Sequence, residues 1–169
     1  MSVEKCSQAA LKYVSGAMKT EGQVEEYLFK KEFTREDIEA AIEMLKAYNY
    51  IDDEKYCQAY YNQACRKGRG RRRIEQELEM KKIPRELIKR TLDYYLSEDN
   101  PDYGDVVEET MTEKERAMSV VAKMMKEQQA MGKNIDKNFC GKVGRRLTAN
   151  GYSSEVIYYV IGQVMRDNL

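Results

Sequence analysis

The residues best suited to chemistry in this sequence are basic, and they are concentrated between Arg66 and Arg73. This segment contains six Lys or Arg residues and two glycines. Guanidinium groups form paired hydrogen bonds to phosphate and carboxylate oxygens. Six neighbouring cations also repel one another, which favours a bound anion over simple solvation. We therefore predict a flexible basic loop, leading into a helix that starts near Arg72, that binds phosphates or carboxylates.

Further basic residues extend this candidate surface in two later segments of the chain. The candidate residues for binding an anionic partner are Arg66, Lys67, Arg69, Arg71, Arg72, Arg73, Lys81, Lys82, Arg85, Lys89, Arg90, Lys142, Arg145 and Arg146. A charge run can instead be the solvated face of a helix, and that alternative stays open, above all for the last three residues.

Catalytic chemistry has little support in this sequence. There is no His, which excludes a His general base, a Ser-His-Asp triad and His-containing zinc sites. The four cysteines form no C-x-x-C pair, so we expect reduced packing residues. Asp52 and Asp53 lie where a new helix should begin, which predicts helix capping rather than a pair of catalytic carboxylates. We expect no catalytic residue, no metal site and no cofactor.

The formal net charge of zero hides a segregation of charge along the chain. Residues 65–92 contain 11 basic and 4 acidic residues, and residues 93–115 contain 1 basic and 9 acidic residues. Residues 116–169 are basic again, with 9 basic and 4 acidic residues. Neutrality is therefore compatible with an anionic partner, and the acidic segments should limit indiscriminate binding to nucleic acid.

One pattern of apolar and aromatic residues occurs three times without an internal gap. It starts at Val24, Ile74 and Val143, and its members lie at offsets 0, 4, 9, 14, 18 and 21 in every copy. The first two offsets share one face of a helix, and the last three form the stripe of a second helix. Further helix-like segments precede the three copies at about 4–19, 53–65 and 113–131.

These elements predict an all-α protein built from three tandem three-helix repeats. The predicted ranges are 4–51, 52–97 and 107–169, with an acidic linker at 98–106. A repeat of this size buries little apolar surface alone, so neighbouring repeats should share core.

Several residues predict how the helices begin, end and pack. Thr34 and Ser153 should cap helices, Thr34 in a capping box with Asp37, and Asn150-Gly151 should end a helix. We interpret the methionines as core residues, notably Met118, Met124, Met125 and Met131. We assign the same role to Tyr27, Tyr56, Tyr60, Tyr95 and Tyr152; base stacking by tyrosines is the alternative.

The order and spacing of three motifs resemble the RecX family of bacterial recombination regulators. Tyr50-Ile-Asp-Asp-Glu-Lys-Tyr56 resembles the family's (Y/F)-(I/L)-(D/N)-D-x-x-(F/Y) segment. The segment from Gly70 to Ile83 resembles G-x-x-x-I-x-x-E-L-x-x-K-G-(I/V), with Lys82 at the usual second Gly. Arg145–Ile157 resembles L-x-x-x-G-(F/Y)-(S/D)-x-x-x-I, so the resemblance covers nearly the whole chain.

The resemblance implies a fold and a function. RecX-like proteins are elongated, curved arrays of three three-helix repeats that bind the filament of RecA on single-stranded DNA. They modulate, and most often inhibit, strand exchange, ATP hydrolysis and coprotease activity in DNA repair. On this basis we expect the basic candidates to contact RecA, single-stranded DNA or both.

Two further expectations concern an alternative function and the location of the protein. The alternative function is a helical module that binds DNA or RNA directly, without RecA. No apolar segment suits a signal peptide, and the longest apolar run, Val156–Ile161, is far shorter than a membrane span. We therefore expect a cytoplasmic monomer without membrane contact.

Overall fold

The computed structural model describes residues 2–169, which form ten α-helices and no β-strand. This confirms the all-α prediction. In chain order the helices are α1 (Val3–Val14), α2 (Glu21–Lys30), α3 (Arg35–Ala47), α4 (Asp53–Arg66), α5 (Arg71–Met80), α6 (Arg85–Tyr95), α7 (Tyr103–Thr110), α8 (Glu113–Ala130), α9 (Lys137–Ala149) and α10 (Ser154–Asn168). Within residues 2–169, no helix combines the length and apolar character needed to cross a bilayer.

The described chain forms two compact units. The first contains the described residues through Ala59 together with Glu77–Leu92, and the second contains Tyr60–Gln76 and Asp93–Leu169. Helices α4, α5 and α6 each contribute residues to both units. The helices of the middle repeat therefore do not form a separate compact body.

In the first unit, α1, α2 and α3 pack around one apolar core. Cys6 and Ala10 of α1 meet Val24 and Leu28 of α2 there. The buried stripe of α3 consists of Ile38, Ala41, Ile42 and Leu45. The two helices that the first copy of the pattern predicts therefore share one core, as their periodicity requires.

In the second unit, α8, α9 and α10 form the corresponding core. The core residues are Ala117, Val121, Met124, Phe139, Cys140, Val143, Leu147, Tyr152, Val156, Val160 and Val164. Of the eighteen pattern positions in the three copies, Phe33, Tyr95, Ile157 and Ile161 are half-buried and the other fourteen are buried. All four cysteines are free and buried, which confirms their predicted packing role.

The helix that opens each apolar pattern ends in the same turn, which explains the constant spacing of its first three positions. The N–H at offset 9 donates to the carbonyl at offset 4: Phe33 to Leu28, Ile83 to Leu78, and Tyr152 to Leu147. The residue at offset 8 has a positive φ: 62° at Glu32, 68° at Lys82 and 86° at Gly151. This is the six-to-one hydrogen bond of a Schellman turn, so one inserted residue would break it.

Most of the predicted helix ends are confirmed. Thr34 and Ser153 accept hydrogen bonds from the amides of Asp37 and Val156, and Asn150 ends α9. Asp52 caps α4 by accepting from the amide of Lys55, 3.1 Å away. The reciprocal capping boxes belong instead to α2 and α8, where Thr20 pairs with Gln23 and Thr112 pairs with Glu115.

Three details of the sequence prediction are wrong. Helix α1 ends at Val14 rather than near residue 19, because Ser15 caps it and a turn follows. Residues 103–106 of the predicted linker are the first turn of α7, and Asn100 before them is buried. Met131 follows α8 and is exposed, although Met124 is buried and Met118 and Met125 pack against the core.

The tyrosines assigned to the core agree with that assignment in part. Tyr152 is buried, whereas Tyr27, Tyr56, Tyr60 and Tyr95 are half-buried. The exposed tyrosines, among them Tyr48 and Tyr158, lie at positions outside the pattern.

Candidate nucleic-acid interface

The segment from Arg66 to Arg73 is an ordered turn between two helices, so the predicted flexible loop is wrong. Arg66 is the last residue of α4, and Arg71 is already the first residue of α5. Between them, the amide of Gly68 donates to the carbonyl oxygen of Cys65, and the amide of Arg69 donates to that of Ala64. Gly68 has φ 73°, a conformation that glycine adopts without steric cost.

The basic turn is attached to the turn between α9 and α10. The amide of Gly70 donates to the carbonyl oxygen of Asn150 at 2.8 Å, and the amide of Arg72 donates to that of Gly151 at 3.2 Å. The guanidinium of Arg73 donates to the carbonyl oxygen of Ala149 at 3.3 Å. These carbonyls end α9 and lack partners within the helix, so the basic turn satisfies them.

A buried tyrosine holds the same junction from the opposite segment. The Tyr152 hydroxyl donates to the carbonyl oxygen of Gly68 at 2.7 Å, and its ring belongs to the core of α8, α9 and α10. Burial raises the pKa of Tyr152 to about 12, so the hydroxyl keeps its proton and remains a donor at neutral pH. The packing of the second unit therefore fixes the position of the basic turn.

The junction brings two of the predicted basic groups into one unit. Lys142, Arg145 and Arg146 lie on α9 at spacings of three and four residues, so they share one helix face. A cleft of about 510 Å³ is lined by Arg66 and Lys67 from the basic turn and by Arg146 from α9. Residues almost 80 positions apart in sequence therefore line a single site.

Acidic residues of the second unit already neutralise two of the candidates. Arg66 forms an ion pair with Glu109. Arg71 is half-buried and pairs with Glu75 at 2.8 Å and with Asp93. Burial disfavours the charge of Arg71, but its hydrogen bonds to Asp93 and Glu75 outweigh that effect and raise the pKa of the guanidinium. Arg71 thus has a structural role.

The cations left for a partner in this unit are on its exposed surface. Among residues 2–169, no ion pair is formed by the exposed side chains of Lys67, Arg72, Lys142, Arg145 and Arg146. Arg69 and Arg73 are half-buried and have interactions within the protein. The candidate interface of the second unit therefore consists mainly of five exposed cations.

The first unit contains the remaining predicted candidates, on and before α6. Arg85 and Arg90 are exposed and form long ion pairs, 3.7 Å to Glu79 and 3.8 Å to Glu54. The side chains of Lys82 and Lys89 are exposed. Lys81 is half-buried, and its carbonyl oxygen accepts the hydroxyl of Thr20. The first unit therefore presents a smaller basic surface of its own.

Two basic residues of the cleft are absent from the candidates predicted from sequence. Lys123 of α8 is exposed and lines it, and Arg116 of α8 lines it from a buried position. Both lie in a helix whose apolar spacing predicts core packing, and neither belongs to a run of basic residues. Over the described part of the chain, no three Cys, Asp or Glu side chains are arranged to hold a metal ion.

Comparison with protein families agrees with the repeats found above. The model described as the first three-helix domain of RecX matches residues 6–45, and the model of the second three-helix domain matches residues 52–92. The family models and the observed helices therefore both support a tandem three-helix organisation.

Similar proteins and structures extend over most of the chain. The chain is 31% identical to the regulatory protein RecX of Vibrio campbellii over 157 residues, 91% of this chain and 88% of that protein. It is 32% identical to the regulatory protein RecX of Clostridium beijerinckii, over 95% of this chain and 68% of that protein. The crystal structure of RecX from Lactobacillus salivarius shares the fold with a TM-score of 0.76 at 21% identity, covering 97% of each chain. On this evidence the chain belongs to the RecX family of regulatory proteins.

Proposed function

We propose that this protein is a cytoplasmic, non-enzymatic regulator that binds the RecA–single-stranded-DNA filament. It inhibits the recombinase, ATPase and coprotease activities of RecA during DNA repair. Membership of a family of regulatory proteins supports the regulatory role. The motif resemblance described above supports RecA as the partner.

One observation carries the binding part of this proposal. The exposed side chains of Lys67 and Arg72 belong to a turn that is hydrogen-bonded to the end of α9, the helix that carries Lys142, Arg145 and Arg146. Rigid attachment lowers the entropy lost when these side chains engage a partner. Five unpaired cations on one unit suit the regularly spaced phosphates of a single strand, or acidic side chains on the protein that coats it.

The proposal predicts a specific dependence on salt. Each phosphate neutralised on a single strand contributes about −0.7 to the slope of log K against log salt concentration. Five such contacts in the second unit would give a slope of about −3.5. The basic surface of the first unit would steepen it further if Lys82, Arg85 and Lys89 also engage the filament.

A binding experiment separates the proposal from direct nucleic-acid binding. We would measure cosedimentation of the purified protein with RecA filaments assembled on single-stranded DNA, and anisotropy of the same DNA without RecA. The proposal expects tighter, saturable binding to the filament than to bare DNA at equal salt. Equal affinity for both, with no effect on RecA activity, would support the alternative module that binds nucleic acid alone.

A further inference from the structure

A buried arginine in the second unit has hydrogen-bond partners, but no carboxylate among residues 2–169 balances its charge. Arg116 has 3% of its surface exposed. Its Nη1 donates to the carbonyl oxygens of Thr110 at 3.1 Å and Met111 at 2.8 Å, and its Nη2 donates to the Tyr61 hydroxyl at 3.3 Å. Arginine is rarely buried to this degree without a negative partner, because desolvation of the charge is costly.

The hydrogen bonds of Arg116 explain only part of its burial. They hold the carbonyls at the end of α7, a common role for a basic side chain. However, Nε of Arg116 is buried without any hydrogen-bond partner among the described residues. The guanidinium also lies over the Tyr61 ring, 5.6 Å from its centroid, which stabilises a cation but adds no negative charge. The positive charge therefore remains uncompensated inside the unit.

Further cations surround the cleft that Arg116 lines. Lys67, Lys123 and Arg146 contribute exposed side chains, and Arg66 contributes a fourth that is paired with Glu109. The other carboxylate of the lining is Glu127. Five cations thus face two carboxylates, and the low dielectric around Arg116 extends its field into the cleft.

The size and the apolar wall of the cleft favour one class of anion. Its volume is about 510 Å³, which is within the range typical of small-molecule sites. An isolated carboxylate or phosphate would fill only part of it. Val120 and Met124 of α8 and Met111 before it form apolar lining beside the cations. A phosphate group joined to a flat, weakly polar body matches both features.

We propose that this cleft is a nucleotide-phosphate site, in which Lys67, Lys123 and Arg146 hold the phosphate and Val120 and Met124 contact the sugar or base. Arg116 acts through its field at the base of the cleft. The nucleotide is either a unit of single-stranded DNA or a free mononucleotide, since both offer the same group. For single-stranded DNA, this inference rests on the proposed function. It adds Lys123, which lies outside the run of basic residues at 66–73.

The test uses two variants of the full chain, each with one substitution, at positions three residues apart on the same helix. Lys123→Gln removes a cation of the cleft, whereas Lys126→Gln removes an exposed cation of α8 that does not line it. The probe is a fluorescein-labelled oligothymidylate, with dTMP, inorganic phosphate and an oligoglutamate peptide as competitors. We expect Lys123→Gln to weaken oligonucleotide binding about 3–10-fold and to reduce the salt slope by about 0.7, and Lys126→Gln to change affinity less than about 2-fold.

The competitors identify the source of the nucleotide. Displacement of the probe by dTMP, but not by equimolar inorganic phosphate, indicates that the cleft accepts a free nucleotide. A probe that dTMP does not displace, with the Lys123→Gln effect intact, indicates a nucleotide within a strand.

Four outcomes distinguish failure of the nucleotide site from failure of the proposed function. Equal affinities of Lys123→Gln and Lys126→Gln for the oligothymidylate would contradict the proposed nucleotide site. Displacement of the probe by oligoglutamate at a lower concentration than by any nucleotide would contradict it as well. If both variants bind the oligonucleotide as wild type does, and all three inhibit RecA equally, the proposed function stands and the proposed nucleotide site is wrong. If Lys123→Gln weakens oligonucleotide binding as expected but wild type has no effect on RecA, the nucleotide site stands and the proposed function is wrong.

Discussion

The amide nitrogen of Gly70 lies 2.8 Å from the carbonyl oxygen of Asn150, which joins the start of α5 to the end of α9. A Cβ atom added at Gly70 would lie 2.6 Å from the carbonyl oxygen of Gly151. A related approach occurs in the first unit, where a Cβ at Gly22 of α2 would lie 2.4 Å from the Cβ of Lys82. In both units the start of a repeat's middle helix packs against the Schellman turn of the next repeat.

This close approach predicts that Gly70→Ala destabilises the protein by about 1–3 kcal/mol, because backbone atoms must separate to admit the methyl group. Urea unfolding followed by far-UV circular dichroism measures the change. Gly162→Ala in α10 is the control, since its Cβ would meet no atom within 4 Å. Alanine favours a helix over glycine, so this variant should gain up to about 1 kcal/mol. A Gly70→Ala variant as stable as wild type would contradict the junction.

The positive φ of Glu32 predicts a stabilising substitution. Its φ of 62° is costly for a side chain with a Cβ, and Gly151 occupies the corresponding turn of the third copy. Glu32→Gly should therefore raise the free energy of unfolding by about 0.5–1 kcal/mol. The reverse change, Gly151→Ala, should be strongly destabilising, because its Cβ would lie 2.3 Å from the amide nitrogen of Arg73. Thermal unfolding of both variants tests the sign of each effect.

Neighbouring arginines at the start of α5 should differ in what they contribute. Arg71→Gln removes the partner of Glu75 and Asp93 and should cost about 1–2 kcal/mol of stability. Arg72→Gln removes an exposed side chain and should change stability by less than about 0.5 kcal/mol, while weakening filament binding. Paired measurements of unfolding and binding for each variant check this division. Equal loss of stability in both would show that the ion pairs of Arg71 contribute nothing.

Buried thiols predict a loss of stability at alkaline pH. Burial first, then the charges of Asp53 and Glu54, raise the pKa of Cys57 from 9.0 to about 12. The raised pKa stabilises the folded state fully below about pH 9, and this contribution is lost as pH rises from about 9 toward 12, by up to about 1.4 kcal/mol per pH unit. Unfolding free energies of wild type and Cys57→Ala between pH 8 and 10.5 measure it. The variant should show the shallower decline, and identical slopes would contradict the assignment.

The exposed cations of α9 should act on binding and leave the fold unchanged. Lys142→Gln with Arg145→Gln should weaken filament binding about 10-fold or more and reduce the salt slope by about 1.4. Lys5→Gln with Lys12→Gln, at exposed positions of α1, makes the same charge change at residues outside the candidate set. Cosedimentation across a salt series compares the two pairs. Comparable losses in both would mean that net charge, rather than this interface, determines binding.

The fold followed from sequence wherever local rules determine structure. The gap-free spacing of Leu28 and Phe33 recurs in every copy because one hydrogen-bonded turn joins those two positions. That turn also explains Lys82, which adopts the positive φ expected of the glycine usual at its position. Helical periodicity likewise identified most of the core, since it depends only on neighbours along the chain.

Less of the candidate site could be predicted from the sequence, because the site depends on contacts between segments that are far apart in the chain. The separation of Arg71 from Arg72 into structural and exposed roles requires knowing that Asp93 packs nearby. Lys123 was overlooked because only the junction between Gly70 and Asn150 brings the basic turn and α9 to the cleft that it lines. The α7 helix was missed because acidic and turn-forming residues around Pro101 predict a linker, whereas burial of Val106 favours a helix.

The most direct test of the central claim is the rate of ATP hydrolysis by RecA on single-stranded DNA, measured with rising amounts of this protein. The account predicts a saturable decrease that Lys142→Gln with Arg145→Gln shifts to higher protein concentration. A rate that stays constant at concentrations where the protein is folded and in excess over RecA would contradict it.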